Sequence, residues 1–141
     1  MTLSTTTVKN SYSGNGSTSA FNYTFGINST TELKVIIRSS TGTETTKTIT
    51  THYTIADAGA AGGTVTFTSG NIPSSDDTVV LIRDTDLTQE TDYVANDPFP
   101  AETHESALDK LQMQVQEVQE ELDRSIKLSR TNTMTSTEFT V

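Results

Sequence analysis

One stretch of the chain limits its fold more than any other. From Ala101 to about Leu128 the sequence has no Gly or Pro and is rich in Glu, Gln, Leu and Lys, which predicts a helix. Pro100 stands at the start of this stretch, where a helix tolerates the missing N–H of proline. The basic residues Arg124 and Lys127 lie near its end, where positive charge suits the helix dipole. Five apolar residues follow the three-and-four spacing of heptad a and d positions: Leu108, Leu111, Val115, Val118 and Leu122.

These five residues, here called the heptad stripe, make a narrow apolar face. Off the stripe the helix is polar apart from Ala107 and Met113, so it suits helix–helix pairing better than docking on a wide sheet face. The heptad frame extends towards the amino end to His104, and the polar Ser125 interrupts it towards the carboxyl end. Because two to three heptads are short for a coiled coil, docking of the stripe on the chain's own sheet remains an alternative.

Residues 1–84 have the pattern of a β-domain. Short runs rich in Thr, Val, Ile and Tyr alternate with Gly, Asn, Asp and Ser, and six or seven such strands predict a small antiparallel β-sandwich. Gly42 supplies the positive φ of a hairpin between Leu33–Ile37 and Glu44–Thr51, and Val79–Ile82 is predicted as a strand buried on both faces. The predicted core is Phe21, Tyr23, Phe25, Val35, Ile37, Val65, Phe67, Val80 and Ile82.

Negative charge is concentrated between the end of the β-domain and the end of the predicted helix. Residues 76–123 hold fourteen of the acidic side chains and two basic ones, in a chain of net charge −9. Such a surface repels phosphate, so no nucleic-acid partner is expected. Residues 85–100 are predicted to form an acidic extended connector, 101–130 a coiled-coil helix, and 131–141 the start of a shaft or a further strand at Glu138–Val141.

Composition excludes several classes of protein. Hydrophobic residues make up 32% of the chain, below the usual ~45–50%, and a thin core favours an obligate oligomer. The absence of cysteine excludes disulfides and thiolate sites. No apolar run approaches a membrane span and no secretory signal is evident, so a soluble chain without a membrane partner is expected.

No catalytic or metal-binding pattern is present. The two histidines, His52 and His104, do not lie at metal-ligand spacing, and the carboxylates of Asp84 and Asp86 lack the rest of a calcium loop. We therefore expect neither an enzyme nor a cofactor.

Several segments in order resemble a known family. They are Ile82–Thr85, Thr88–Tyr93, Phe99–Ala101, Glu105–Leu111 and Gln119–Arg124. Together they resemble the N-terminal virion-attachment domain of tail fibre proteins from short-tailed, autographivirus-like podoviruses, and the likeness spans about residues 1–131. The resemblance implies a homotrimer in the phage tail that anchors the fibre at the junction of adaptor and nozzle proteins and continues into a coiled-coil shaft. It also implies either a chain that continues past Val141 or a separate receptor-binding tip protein.

Two sets of site residues follow. The heptad stripe is the predicted trimer interface, whereas Tyr93 and Phe99, the aromatics of the acidic segment, are predicted to contact the tail. Phe99 lies between two prolines and has little entropy left to lose on docking.

A different class of function also fits the sequence. It is a carbohydrate-binding or adhesin-like β-module on a helical stalk, whose sugar-stacking candidates are Tyr12, Tyr23, Tyr53 and Tyr93. The lack of tryptophan and the core-like alternation of Tyr23 with two phenylalanines argue against it.

Overall fold

The computed structural model describes residues 3–59, 61–93, 100–131 and 133. This part of the chain forms seven β-strands, a short 3-10 helix and one α-helix. The strands are β1 (Lys9–Ser13), β2 (Ala20–Tyr23), β3 (Leu33–Arg38), β4 (Glu44–Lys47), β5 (Tyr53–Ala56), β6 (Gly63–Phe67) and β7 (Thr78–Arg83); the 3-10 helix is Thr30–Glu32 and the α-helix, α1, is Ala101–Asp123.

The strands form two antiparallel sheets. One has the order β1-β7-β3-β4 and the other β2-β6-β5. Side chains from both sheets meet in one core. The prediction of a mainly β fold with two antiparallel sheets and one C-terminal helix is therefore confirmed.

Aromatic rings fill the centre of the core. Phe21, Tyr23 and Phe25 are all buried, as their alternation predicts. The ring of Phe67 meets that of Phe21 edge-on at 5.8 Å and lies 6.1 Å from that of Tyr53. These contacts tie strands β2, β5 and β6 together beneath the larger sheet.

The predicted facing of β7 is wrong by one residue. Val79 and Leu81 are fully buried, whereas Val80 and Ile82 are half-buried on the opposite face. Register explains the difference, because Leu81 pairs with the inward-facing Val35 of β3, and directly opposed residues share a face. A strand between two neighbours is apolar on both faces, so its own sequence does not reveal which face is inner.

The hairpin between β3 and β4 is confirmed. Gly42 has φ 87°, and its N–H donates to the Ser39 carbonyl at 2.9 Å. The second strand ends at Lys47 instead of Thr51, because a turn begins at Thr48, whose carbonyl accepts from the His52 N–H at 2.9 Å. Thr50 within this turn has φ 68°.

The helix begins as predicted but ends early. Pro100 precedes its first residue, and the helix stops at Asp123 instead of near Leu128. The Ser125 hydroxyl donates to the Leu122 carbonyl at 2.6 Å, and such side-chain bonds compete with helix continuation. Phe99 and the predicted strand Glu138–Val141 lie outside the described residues.

Candidate assembly surface

The helix docks on the sandwich through the face opposite the heptad stripe. With Leu108 at heptad position a, Met113 falls at position f, and it is the one described helix residue that is fully buried. The side-chain amide of Asn28, beside the 3-10 helix, donates to the Met113 sulfur at 3.4 Å. A single methionine thus provides the apolar part of the docking contact.

A buried arginine fixes this face in place. Arg83 is the last residue of β7, and its side chain is fully buried. Its guanidinium donates to Glu117 Oε1 at 2.7 Å, to Gln116 Oε1 at 2.8 Å and to the Met113 carbonyl at 3.2 Å. Glu117 also accepts from the backbone N–H of Thr85 at 3.0 Å and from its hydroxyl at 2.5 Å. Charge-assisted bonds in several directions hold the helix against rotation.

A second ion pair lies one turn further along the helix. Lys9 of β1 donates to Glu120 Oε1 at 2.5 Å, and Arg124 donates to both oxygens of the same carboxylate at 2.9 Å. Burial by itself raises the pKa of Glu120, but the hydrogen bonds and charges of Lys9 and Arg124 outweigh it and leave this pKa below its ordinary value.

The first part of the connector runs along the helix in the opposite direction. Gln114 donates from its side-chain amide to the Asp86 carbonyl at 2.8 Å, and the Lys110 ammonium donates to the Thr88 carbonyl at 2.5 Å. The connector therefore covers the side of the helix that holds positions c and g, beside the heptad stripe.

The predicted tail-contact residue Tyr93 lies further along the same path. Its ring is half-exposed and lies 6.4 Å from that of His104, with 3.3 Å between Tyr93 Oη and His104 Nδ1. The structure places Tyr93 next to the first turns of the helix. It does not describe Phe99, so the two residues are not shown together.

The heptad stripe is exposed in this chain. All five side chains, Leu108, Leu111, Val115, Val118 and Leu122, are between 49% and 61% exposed. The helix does pack on its own sandwich, but through positions b, c and f, so the alternative in which the stripe itself covers the sheet is wrong. A continuous apolar row of this kind on a rigidly held helix is suited to pairing with other helices.

The predicted sugar-stacking tyrosines are mostly unavailable. Tyr23 and Tyr53 are buried in the core, and Tyr12 packs against Phe21 while its hydroxyl donates to the Asn22 carbonyl at 2.6 Å. Buried rings present no face to a ligand, so Tyr23 and Tyr53 are wrong as candidates for sugar binding.

Among the described residues, His, Asp and Glu side chains form no group able to hold a metal ion. The same residues contain no helix with the length and hydropathy needed to cross a membrane.

The fold and this surface define a β-sandwich head joined to a helix whose heptad stripe is exposed. No protein-family model matches the chain. The chain is 34% identical over 132 residues to the tail spike protein of Salmonella phage epsilon15, and the match covers 90% of this chain. It spans only 12% of the length of that relative. The similarity supports a phage tail protein, located in the virion, as the sequence predicts.

Proposed function

We propose that this chain is the attachment part of a trimeric tail fibre or spike, which it anchors to the phage tail for host adsorption. The observation that carries the proposal is the exposed heptad stripe on a helix fixed to a β-sandwich, in a chain similar to a tail spike. The proposed role is structural and needs no enzymatic activity, cofactor, nucleic acid or membrane.

The docking geometry supports assembly through the helix. Because Met113 and Glu117 hold the opposite face, the stripe points away from the head of the same chain. Copies joined through the stripe would carry their heads around a common helical bundle. Each stripe side chain is already about half buried, so its further burial would contribute roughly half of the ~1.5–3 kcal/mol expected for a fully exposed side chain.

Charge on the helix also permits assembly. Four of the six e and g positions of the helix, which flank the stripe, are neutral: Ala107, Gln112, Gln114 and Gln119. The other two are Glu105 and Glu121, near the two ends of the helix. Most carboxylates of the helix lie at b, c or f, and two of them, Glu117 and Glu120, contact the head. In a parallel bundle, the e and g positions of neighbours face each other, so little like-charge repulsion opposes pairing.

The proposal of three copies rests on the resemblance to tail fibre proteins. Leu111 at d with Val115 at a is typical of two-stranded coils, whereas Val118 at d with Leu122 at a is not. The stripe alone therefore does not select the trimer, and sedimentation equilibrium of the purified chain tests it. A monomer at micromolar concentration would contradict the proposal.

The proposed tail partners are adaptor and nozzle proteins, and a separate tip protein is a proposed further partner of the shaft. Acidic residues between Asp76 and Asp123 would steer the fibre towards a basic tail surface, with Tyr93 and Phe99 as anchors. Raised salt should then slow the association.

Complementation of a fibre-deficient phage tests the anchor. The double variant Tyr93→Ala with Phe99→Ala should assemble into trimers but fail to enter tails. Tyr93→Phe is the matched control, because it keeps the ring and loses only the hydroxyl that meets His104. If the double variant complements as well as the unaltered chain, the anchor lies elsewhere, and the loops of the β-sandwich are the next surface to test.

A further inference from the structure

We propose that the connector is part of the contact between copies of this chain, with Leu87 packing on the helix of the neighbouring subunit. The inference rests on the proposed assembly through the heptad stripe and assigns a partner to a residue outside that stripe.

Leu87 is the starting observation. It is 84% exposed, more than any side chain of the heptad stripe. Its position is nevertheless fixed, because the carbonyl groups on both sides of it, those of Asp86 and Thr88, accept hydrogen bonds from Gln114 and Lys110 of the helix. A single exposed leucine is not informative by itself, but one fixed next to an exposed apolar stripe enlarges that patch, and contiguous apolar patches mark interaction surfaces.

Leu87 lies next to the heptad stripe. It lines a cleft of about 270 Å³ together with Val118 and Gln114. It also lines a second cleft of about 150 Å³ together with Leu111 and Gln114. Leu87 therefore widens the apolar stripe on the side of position g, and whatever covers the stripe there will also meet Leu87.

A second copy of this chain fits that place. In parallel bundles the g side of one helix faces the e side of the next. The connector covers the g side, around Gln114, whereas the e side carries the exposed and uncharged Gln112 and Gln119. Between Gln112 and Gln119 this edge is uncharged and next to the apolar stripe, so it is a suitable surface for leucine. Every subunit of a closed ring offers both sides.

Sedimentation equilibrium tests the contribution of Leu87. Leu87→Ser should raise the protein concentration at half-dissociation by at least about tenfold, since apolar burial at each subunit contact is lost. Ile126→Ser is the matched control, because Ile126 is also a fully exposed aliphatic residue but lies beyond the end of the helix. It should leave the dissociation unchanged.

Disulfide trapping tests the geometry directly, and the chain has no cysteine that could interfere. Leu87→Cys combined with Gln112→Cys or with Gln119→Cys should give covalent species larger than a monomer on a non-reducing gel. Leu87→Cys combined with Thr45→Cys, on the exposed edge strand β4, should stay monomeric on the gel.

The outcomes separate this inference from the proposed function. An unaltered chain that is monomeric would overturn both. Stable oligomers in which Leu87→Ser behaves like Ile126→Ser and both cysteine pairs stay uncrosslinked would overturn the role of Leu87 alone. If Leu87→Ser assembled like the unaltered chain but failed to enter tails, the proposed contact between subunits would also be overturned, and Leu87 would belong to the tail contact.

Discussion

Arg83 at the end of β7 and Glu117 in the middle of the helix form an ion pair 2.7 Å long, with the arginine side chain fully buried. The pair joins positions far apart in the sequence and decides which face of the helix meets the head. Because Glu117 lies at heptad position c, the a and d positions are left facing outwards. The buried charge of Arg83 and its partner thus help to set the direction in which the heptad stripe faces.

Glu117→Ala tests this dependence. The change leaves the Arg83 guanidinium buried without its carboxylate and removes the acceptor for Thr85, which should cost about 3–5 kcal/mol. Glu121→Ala is the control, since Glu121 is exposed on the same helix. Chemical denaturation gives both free energies of unfolding, and hydrogen exchange shows whether the helix has detached. Equal stability of the two variants would mean that the ion pair does not hold the helix.

The facing of β7 can be tested with two identical substitutions. Val79→Ala removes two methyl groups from the buried core and should cost about 2 kcal/mol, whereas Val80→Ala on the half-buried face should cost less. Thermal unfolding of both variants gives the comparison. A larger effect at Val80 would reverse the facing described above.

Phe67→Ala addresses the aromatic centre of the same core. Its ring contacts those of Phe21 and Tyr53, so its removal should leave a cavity and cost about 3–5 kcal/mol. In so small a domain this loss approaches the whole free energy of unfolding. A melting temperature within a few degrees of the unaltered chain would show that the Phe67 contacts contribute little.

Periodicity made the strands, the helix and the heptad stripe predictable, because apolar spacing reports directly on local geometry. It did not reveal how the helix is held. Arg83, Glu117 and Glu120 are common surface residue types, and only the tertiary arrangement brings them together. Met113 was the available signal, as a lone apolar residue opposite the stripe. The helix ends next to Ser125, whose hydroxyl bonds the Leu122 carbonyl, and apolar spacing does not encode such a local bond.

Acid should loosen the helix from the head. The pKa of Glu120 is lower in the folded chain than its ordinary value of about 4.3, because the bonds to Lys9 and Arg124 outweigh burial. The stabilisation is therefore complete above that ordinary value and is lost as the pH falls through the lower pKa of the folded state. The free energy of unfolding, measured from pH 6 to pH 3 across the ordinary pKa of ~4.3, should show this loss. The Glu120→Gln variant should show a weaker dependence of this free energy on pH. An unchanged slope in Glu120→Gln would assign the pH dependence to other carboxylates.

Leu111→Asp tests the proposed assembly surface. Leu111 lies at a d position near the middle of the heptad stripe, and in a trimer three of these side chains would meet in one layer. Three buried carboxylates in that layer would lose their hydration and repel one another, so the assembly should dissociate. The folded head should persist, because Leu111 is exposed in the single chain and takes no part in the contacts of Met113 or Glu117. Ile126→Asp introduces the same charge beyond the helix and should leave assembly intact. Light scattering gives the mass of each variant, and circular dichroism checks that the head is folded. A Leu111→Asp chain that keeps its oligomeric mass would show that the stripe is not the assembly surface.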